Sequence, residues 1–287
     1  MPYYGSQRRG AAARGHGAMS PTPGTPRSLP ARTRRSRCAA DRLPAHHGGV
    51  IGAGGYVALG DSISIDDYSG GPGRGGASLL YANRDDDFPD WRGRDLRSTA
   101  PGTAFALLAT DGATTGTLLD RQLPRLAALP ARPSLVTLTI GGNDLLGAYG
   151  DTAAARAVVA RVAAALDRAL VAIGEALAPD GRVVVGTVYD PSDGTGDAAR
   201  LGLPPWPDAV ALIAELNDAL RRGAARHGAA VAEIAELFRG HGLAAGDPRR
   251  HEARPEQRDL WFCSLIEPNA WGADGVRAAF WAALNGG

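Results

Sequence analysis

The sequence predicts an α/β fold, a three-layer α/β/α sandwich around a five-stranded parallel sheet. Three observations predict it. Five short apolar, β-rich runs recur along the chain, amphipathic stretches separate them, and several runs end in turns of Gly, Asp, Ser or Asn. Runs without polar alternation read as strands buried on both faces, as in a parallel sheet. Strands alternating with helices imply crossover units with helices on both sheet faces.

The first run, Tyr56-Val57-Ala58-Leu59, ends in Gly60-Asp61-Ser62. The second, Ala104 to Ala109, ends near Gly112, and the third, Leu135 to Ile140, ends in Gly141-Gly142-Asn143-Asp144. Arg182 to Val188 is the fourth and Ala229 to Ile234 the fifth. Helical patterns fall at 115–129, 152–177, 208–227 and 270–284, the second stopped by Pro179-Asp180-Gly181. Two long connections remain, at about 64–101 and 240–266. Long loops in a domain are functional or disordered more often than not. In an open α/β sheet a ligand binds beyond the carboxyl ends of the strands, which is where Ser62, Gly112 and Asn143 fall.

Composition narrows the class. Of 287 residues, 44% are hydrophobic and 21% charged, and the formal net charge is +1. These values fit a soluble globular protein and give no global attraction to nucleic acid or an acidic membrane. All basic side chains are Arg or His, since the chain contains no lysine. Residues 1–50 concentrate Arg with Pro, Gly, Ser and Ala, and nearly lack bulky aliphatics. Such a segment buries too little apolar surface to offset its ordering entropy, so it reads as a disordered tail before a domain at 51–287. Cys38 and Cys263 make neither a disulfide framework nor a four-ligand zinc site. No apolar run follows Arg8-Arg9 as a secretory signal requires, and none reaches the roughly 20 residues of a membrane span. The expectation is a cytoplasmic protein with no membrane partner.

Ser62, directly after the first strand, is placed to attack a carbonyl, although a serine hydroxyl needs a base to do so. Gly112 lets backbone N–H approach a ligand closely. The Asn143 amide can donate to a developing oxyanion. Tyr56 to Ser62 resembles block I of the SGNH/GDSL hydrolases, Asp111-Gly112-Ala113-Thr114-Thr115 resembles block II, and Thr139 to Asp144 resembles block III. The resemblance runs from about Gly55 to the C-terminus. It implies a flavodoxin-like SGNH hydrolase fold, Ser62 as nucleophile, and an oxyanion hole made by the Ser62 and Gly112 N–H groups with the Asn143 side chain. The Gly-x-Ser-x-Gly elbow of larger α/β-hydrolases is absent.

The fourth block departs from the family pattern of Asp-x-x-His followed by Pro-Asn. Here Ser264-Leu265-Ile266-Glu267-Pro268-Asn269 puts Glu267 where the histidine stands in the family and Ser264 where the aspartate stands. Three readings follow. Glu267 is itself the base, if burial raises its pKa. Alternatively His241, in Gly240-His241-Gly242, swings in as base with Glu267 orienting it, since triads are defined by geometry rather than chain order. In the third reading the site binds without turnover. The plain alternatives are a solvated loop histidine and a carboxylate favoured by the start of the last helix.

Other groups carry weaker signals. Asp66, Asp67 and Asp85 to Asp87 have the chemistry of a hard-cation site but read more simply as solvated loop charges, so neither metal nor cofactor is expected. Trp91, Trp206, Trp261 and Trp271 either line an apolar pocket or pack the long loops onto the body. The expected function is hydrolysis of a small-molecule carboxylic ester through an acyl-enzyme on Ser62, with sugar deacetylation and acyl transfer open to the same site. The rival is a non-catalytic binding protein, and nucleic-acid binding through the Arg-rich tail is the weakest reading.

Overall fold

The computed structural model describes residues 54–249, 260–264 and 266–286. The tail at 1–50 and His251 lie outside them. Five strands form one parallel sheet in the order β2-β1-β3-β4-β5, where β1 is Gly55–Gly60, β2 Phe105–Leu107, β3 Pro133–Thr139, β4 Arg182–Gly186 and β5 Ala230–Ala232. Each coincides with one of the expected runs.

Alternation along each central strand explains the unbroken hydrophobicity. Val57 and Leu59 of β1 face one core with Val136 and Leu138 of β3. Tyr56 and Ala58 face the opposite core with Leu135 and Val184. Successive side chains of a strand point to opposite faces, so a strand covered on both sides has no polar face to offer.

The first core lies under two long helices of the expected spans. Helix α6 (Thr152–Ala176) is capped by Asp151, whose side chain accepts from the Ala154 N–H, and α7 (Asp208–Arg226) packs beside it. Before them come α3 (Thr115–Thr117), a π-helical turn at Leu118–Gln122, α4 (Leu123–Ala127) and the short α5 (Gly142–Leu146). The second core lies under α1 (Gly76–Tyr81), α8 (Ile234–Phe238) and α9 (Ala270–Asn285), with α2 (Leu96–Thr99) nearby. The 64–101 connection is therefore not bare loop. It carries α1 and α2, whose few apolar positions are too short a window to show helical periodicity.

The 260–268 region holds a hairpin of two-residue strands, β6 (Phe262–Cys263) and β7 (Glu267–Pro268), in which Cys263 pairs with Glu267. Glu267 is thus not in the first turn of the last helix. That turn is capped by Asn269, whose side chain accepts from the Trp271 and Gly272 N–H groups. The strand order changes direction at β1, and β2 and β3 flank it. Such a switch point opens a crevice at the carboxyl edge of the sheet.

Candidate active site

The turn that carries Ser62 leaves β1 through Gly60, whose φ is +121°. A Cβ there would lie 1.9 Å from the Thr139 carbonyl oxygen, so only glycine fits. Gln122, at the end of the π-helical turn, clamps the same residue. Its Oε1 accepts from the Gly60 N–H at 2.8 Å, and its Nε2 donates to the Gly60 carbonyl at 2.8 Å. Asp61 is 1% exposed and accepts from the Thr139 hydroxyl at 2.9 Å and the Ile63 N–H at 3.2 Å. Burial pushes its carboxyl up to about 7 against these hydrogen bonds, and the charge of Glu267 adds to the rise. Ser62 follows, buried at the crevice wall.

Asn143 lines the same pocket as Ser62. Gly141 caps α5 at φ +104°, and the Asn143 Nδ2 donates to the Ala113 carbonyl at 3.1 Å. Asp144 holds the start of α3 through the Thr115 N–H at 2.9 Å and the Thr115 hydroxyl at 2.6 Å. Gly112, at φ +65°, sits in the exposed turn that these contacts anchor, although it does not line the pocket itself. The turns after β1, β2 and β3 are therefore joined at one edge of the sheet.

The Glu267 carboxyl lies beside the Ser62 side chain, close enough for the serine hydroxyl to favour its charged form. Its Oε2 is buried without a hydrogen-bond partner. Desolvation raises the Glu267 pKa, the neighbouring Ser62 side chain opposes that rise, and the charge of Asp111 adds to it. Asp111 also lies beside Tyr68, whose hydroxyl is pushed up to about 12, first by desolvation and then by the neighbouring Asp111 carboxylate. The Cys263 thiol donates to the Tyr68 carbonyl at 3.2 Å. Its pKa is raised by desolvation and by Glu267, which keeps it a thiol and a poor nucleophile.

His241 stands elsewhere. Its imidazole is 5% exposed and stacks on Trp261 with ring centroids 3.8 Å apart. Trp261 meets Phe238, and Phe238 stacks on Tyr189 of the pocket wall. His241 itself does not line the pocket. Its loop is fixed by the buried Asp193, which accepts from the Gly240, Gly242 and Ala244 N–H groups at 3.0 to 3.1 Å. The plain alternative of a solvated loop histidine therefore does not hold, since His241 is buried in a built loop.

Three of the five loop carboxylates have structural partners. Asp66 closes its own loop through the Gly73 and Gly75 N–H groups. Asp85 pairs with Arg92, and Asp87 with Arg74 and Arg84. Of the four tryptophans named above, Trp206 lines the pocket, whereas Trp271 packs against Phe88 and the Arg277 guanidinium lies over Trp91. Gln122 and Asp111 were not singled out from sequence. Gln122 follows Asp120 and Arg121, so in the sequence it reads as part of a solvent-facing polar run, and nothing there signals its burial.

Comparison with known proteins places this geometry. The model of the GDSL-like lipase/acylhydrolase family matches residues 58–273. No curated protein matches the chain. Among solved structures, the extracellular lipase of Streptomyces rimosus is 26% identical with a TM-score of 0.54, over 80% of this chain and 99% of that one. Phospholipase A1 of Streptomyces albidoflavus is 26% identical with a TM-score of 0.51, over 81% and 100%. A catalytic variant of an acetylxylan esterase from Geobacillus stearothermophilus shares the fold at 14% identity and a TM-score of 0.55, over 81% and 94%. No helix among the described residues is long and apolar enough to cross a membrane.

Proposed function

The chain belongs to the GDSL-like lipase/acylhydrolase family, and from that premise we propose that it hydrolyses a carboxylic ester through an acyl-enzyme on Ser62, with Glu267 as the proton acceptor. The observation that carries the reading is the placement of the Glu267 carboxyl beside the Ser62 side chain, close enough for the two to interact. A general base must lie within hydrogen-bond reach of the proton it takes. A carboxylate of ordinary pKa is a weak base for a hydroxyl. Desolvation moves Glu267 in the direction that improves the match.

In this mechanism Ser62 Oγ bonds to the ester carbonyl carbon as its proton passes to Glu267. The carbonyl electron pair moves onto oxygen, where the Asn143 amide and the Ser62 and Gly112 N–H groups stabilise the oxyanion. Collapse of the tetrahedral species breaks the bond to the alcohol oxygen, and the alcohol leaves with the proton from Glu267. Water then attacks the acyl-enzyme, gives its proton to Glu267, and the carboxylic acid departs as Ser62 Oγ recovers its proton.

A fluorophosphonate probe tests the reading without knowledge of the natural ester. Intact-mass and peptide analysis should find one adduct, on Ser62, reduced strongly by Glu267→Gln. Absence of labelling, together with no serine-dependent turnover on any ester, would favour a binding protein that uses the same pocket.

A further inference from the structure

We propose that the acyl group of the substrate is a neutral, unsubstituted hydrocarbon chain or ring of about six carbons, seated in the apolar pocket between α5, α7 and the 189–206 loop. The inference rests on the reading of Ser62 as nucleophile. The pocket opens at Ser62 and Asn143 and is walled by Leu145, Val188, Leu203, Trp206 and Ile213. Glu267 does not line it. The departing alcohol must reach the proton on Glu267, so the alcohol lies outside this pocket and the acyl group inside it.

Beyond the reacting end, the polar side chains of the lining are already committed. Tyr149 donates its hydroxyl to the Pro204 carbonyl at 2.6 Å, and Tyr189 donates to the Ile266 carbonyl at 2.6 Å. Trp206 Nε1 donates to the Thr152 hydroxyl at 3.1 Å. Ser192 donates to Asp190 at 2.7 Å, and Asp190 also accepts the Ser192 and Gly194 N–H groups. A second carboxylate on the acid would enter without a donor and forfeit its hydration, and a hydroxyl or amine would have little beyond the already engaged Asp190 carboxylate to donate to. None of the lining residues is Arg or His, so nothing there balances an anionic acid.

Size follows from volume. The cavity measures about 120 Å³, and an apolar cavity of about 150 Å³ accommodates a benzene molecule. An acetyl group would leave most of it empty. Burying a methylene changes an equilibrium about fourfold, so specificity should climb on the order of a hundredfold from acetyl to hexanoyl.

The experiment measures kcat/KM for p-nitrophenyl esters from acetate to decanoate, with Ala209→Phe and Ile213→Phe as pocket-filling variants. Calorimetric titration of free hexanoate and acetate accompanies it, each variant first being checked for native circular dichroism. The expected result is a rise to about six carbons and then a plateau, with the hexanoyl-to-acetyl ratio falling at least tenfold in either folded variant. Serine-dependent turnover that is flat or best with acetate overturns the acyl-pocket assignment and leaves the nucleophile standing. If no ester turns over, the Ser62 reading fails separately. Hexanoate binding that exceeds acetate and is weakened by a filling variant then still supports the pocket, and equal weakness of the two acids overturns it.

Discussion

Glu267 sets its carboxyl beside the Ser62 side chain and buries one of its oxygens, Oε2, without a hydrogen-bond partner. A carboxylate with a buried, unpartnered oxygen favours its protonated form, because the charge of the ionised form is not fully compensated. The pair therefore carries the two properties that proton transfer needs, contact and a raised affinity for the proton.

Asp111 tunes that affinity. Desolvation is the larger cause of the raised Glu267 pKa and Asp111 charge the second. Asp111→Asn removes a like charge, so the Glu267 pKa should fall. The acid limb of kcat/KM should then shift to lower pH while keeping its shape. A limb that stays put in this variant would show that the two carboxyls do not sense each other.

Asp61 is expected to make stability depend on pH in an unusual sense. Its folded pKa, about 7, lies above the ordinary 3.8. Between those values the folded state holds the proton more tightly than the unfolded chain, so stability falls as pH rises and levels off above about 7. The span corresponds to at most about 4 kcal/mol. Asp61→Asn keeps an acceptor for Thr139 and Ile63 and loses the titration. Denaturant midpoints measured from pH 4.5 to 8 should decline in the parent and decline less in the variant.

Gln122→Leu should damage both stability and rate. It orphans the buried Gly60 N–H and carbonyl, each costing about 1–3 kcal/mol. It also frees the turn that presents Ser62. Urea unfolding and kcat would both register the change. A variant with parental stability and kcat would mean that the clamp is redundant with the Thr139 contacts.

The family pattern offers a gain-of-function check. Ser264 occupies a left-handed conformation, φ +50°, which aspartate tolerates better than most residues. The double substitution Ser264→Asp with Glu267→His recreates Asp-x-x-His on the same hairpin. It should retain serine-dependent turnover, with a limb near the histidine range of about pH 6–7.

Much of this was legible because the relevant signals are local. Each sheet strand is a short apolar run, and β1, β2 and β3 each lead into a turn that carries Ser62, Gly112 or Asn143. What was hidden depends on distant residues meeting. The Gln122 clamp spans a strand and a helix, Asp111 acts on Glu267 across two loops, and α1 and α2 are too short to declare a period. Glu267 read as the start of a helix because Pro268 and Asn269 follow it, whereas its pairing with Cys263 places it in a hairpin. His241 reads as solvated among glycines, and its burial arises from Trp261, twenty residues on.

The pH dependence of kcat/KM tests the central assignment most directly, measured for the parent, Glu267→Gln and His241→Ala on one ester, each confirmed as folded. The account predicts a limb in the parent with a midpoint above the ordinary glutamate value of 4.5. His241→Ala should keep that limb and most of the rate. Glu267→Gln should lose about a hundredfold to ten-thousandfold and lose the limb with it. The opposite pattern, a limb near pH 6–7 that vanishes in His241→Ala and survives in Glu267→Gln, would contradict the assignment of Glu267 as the base.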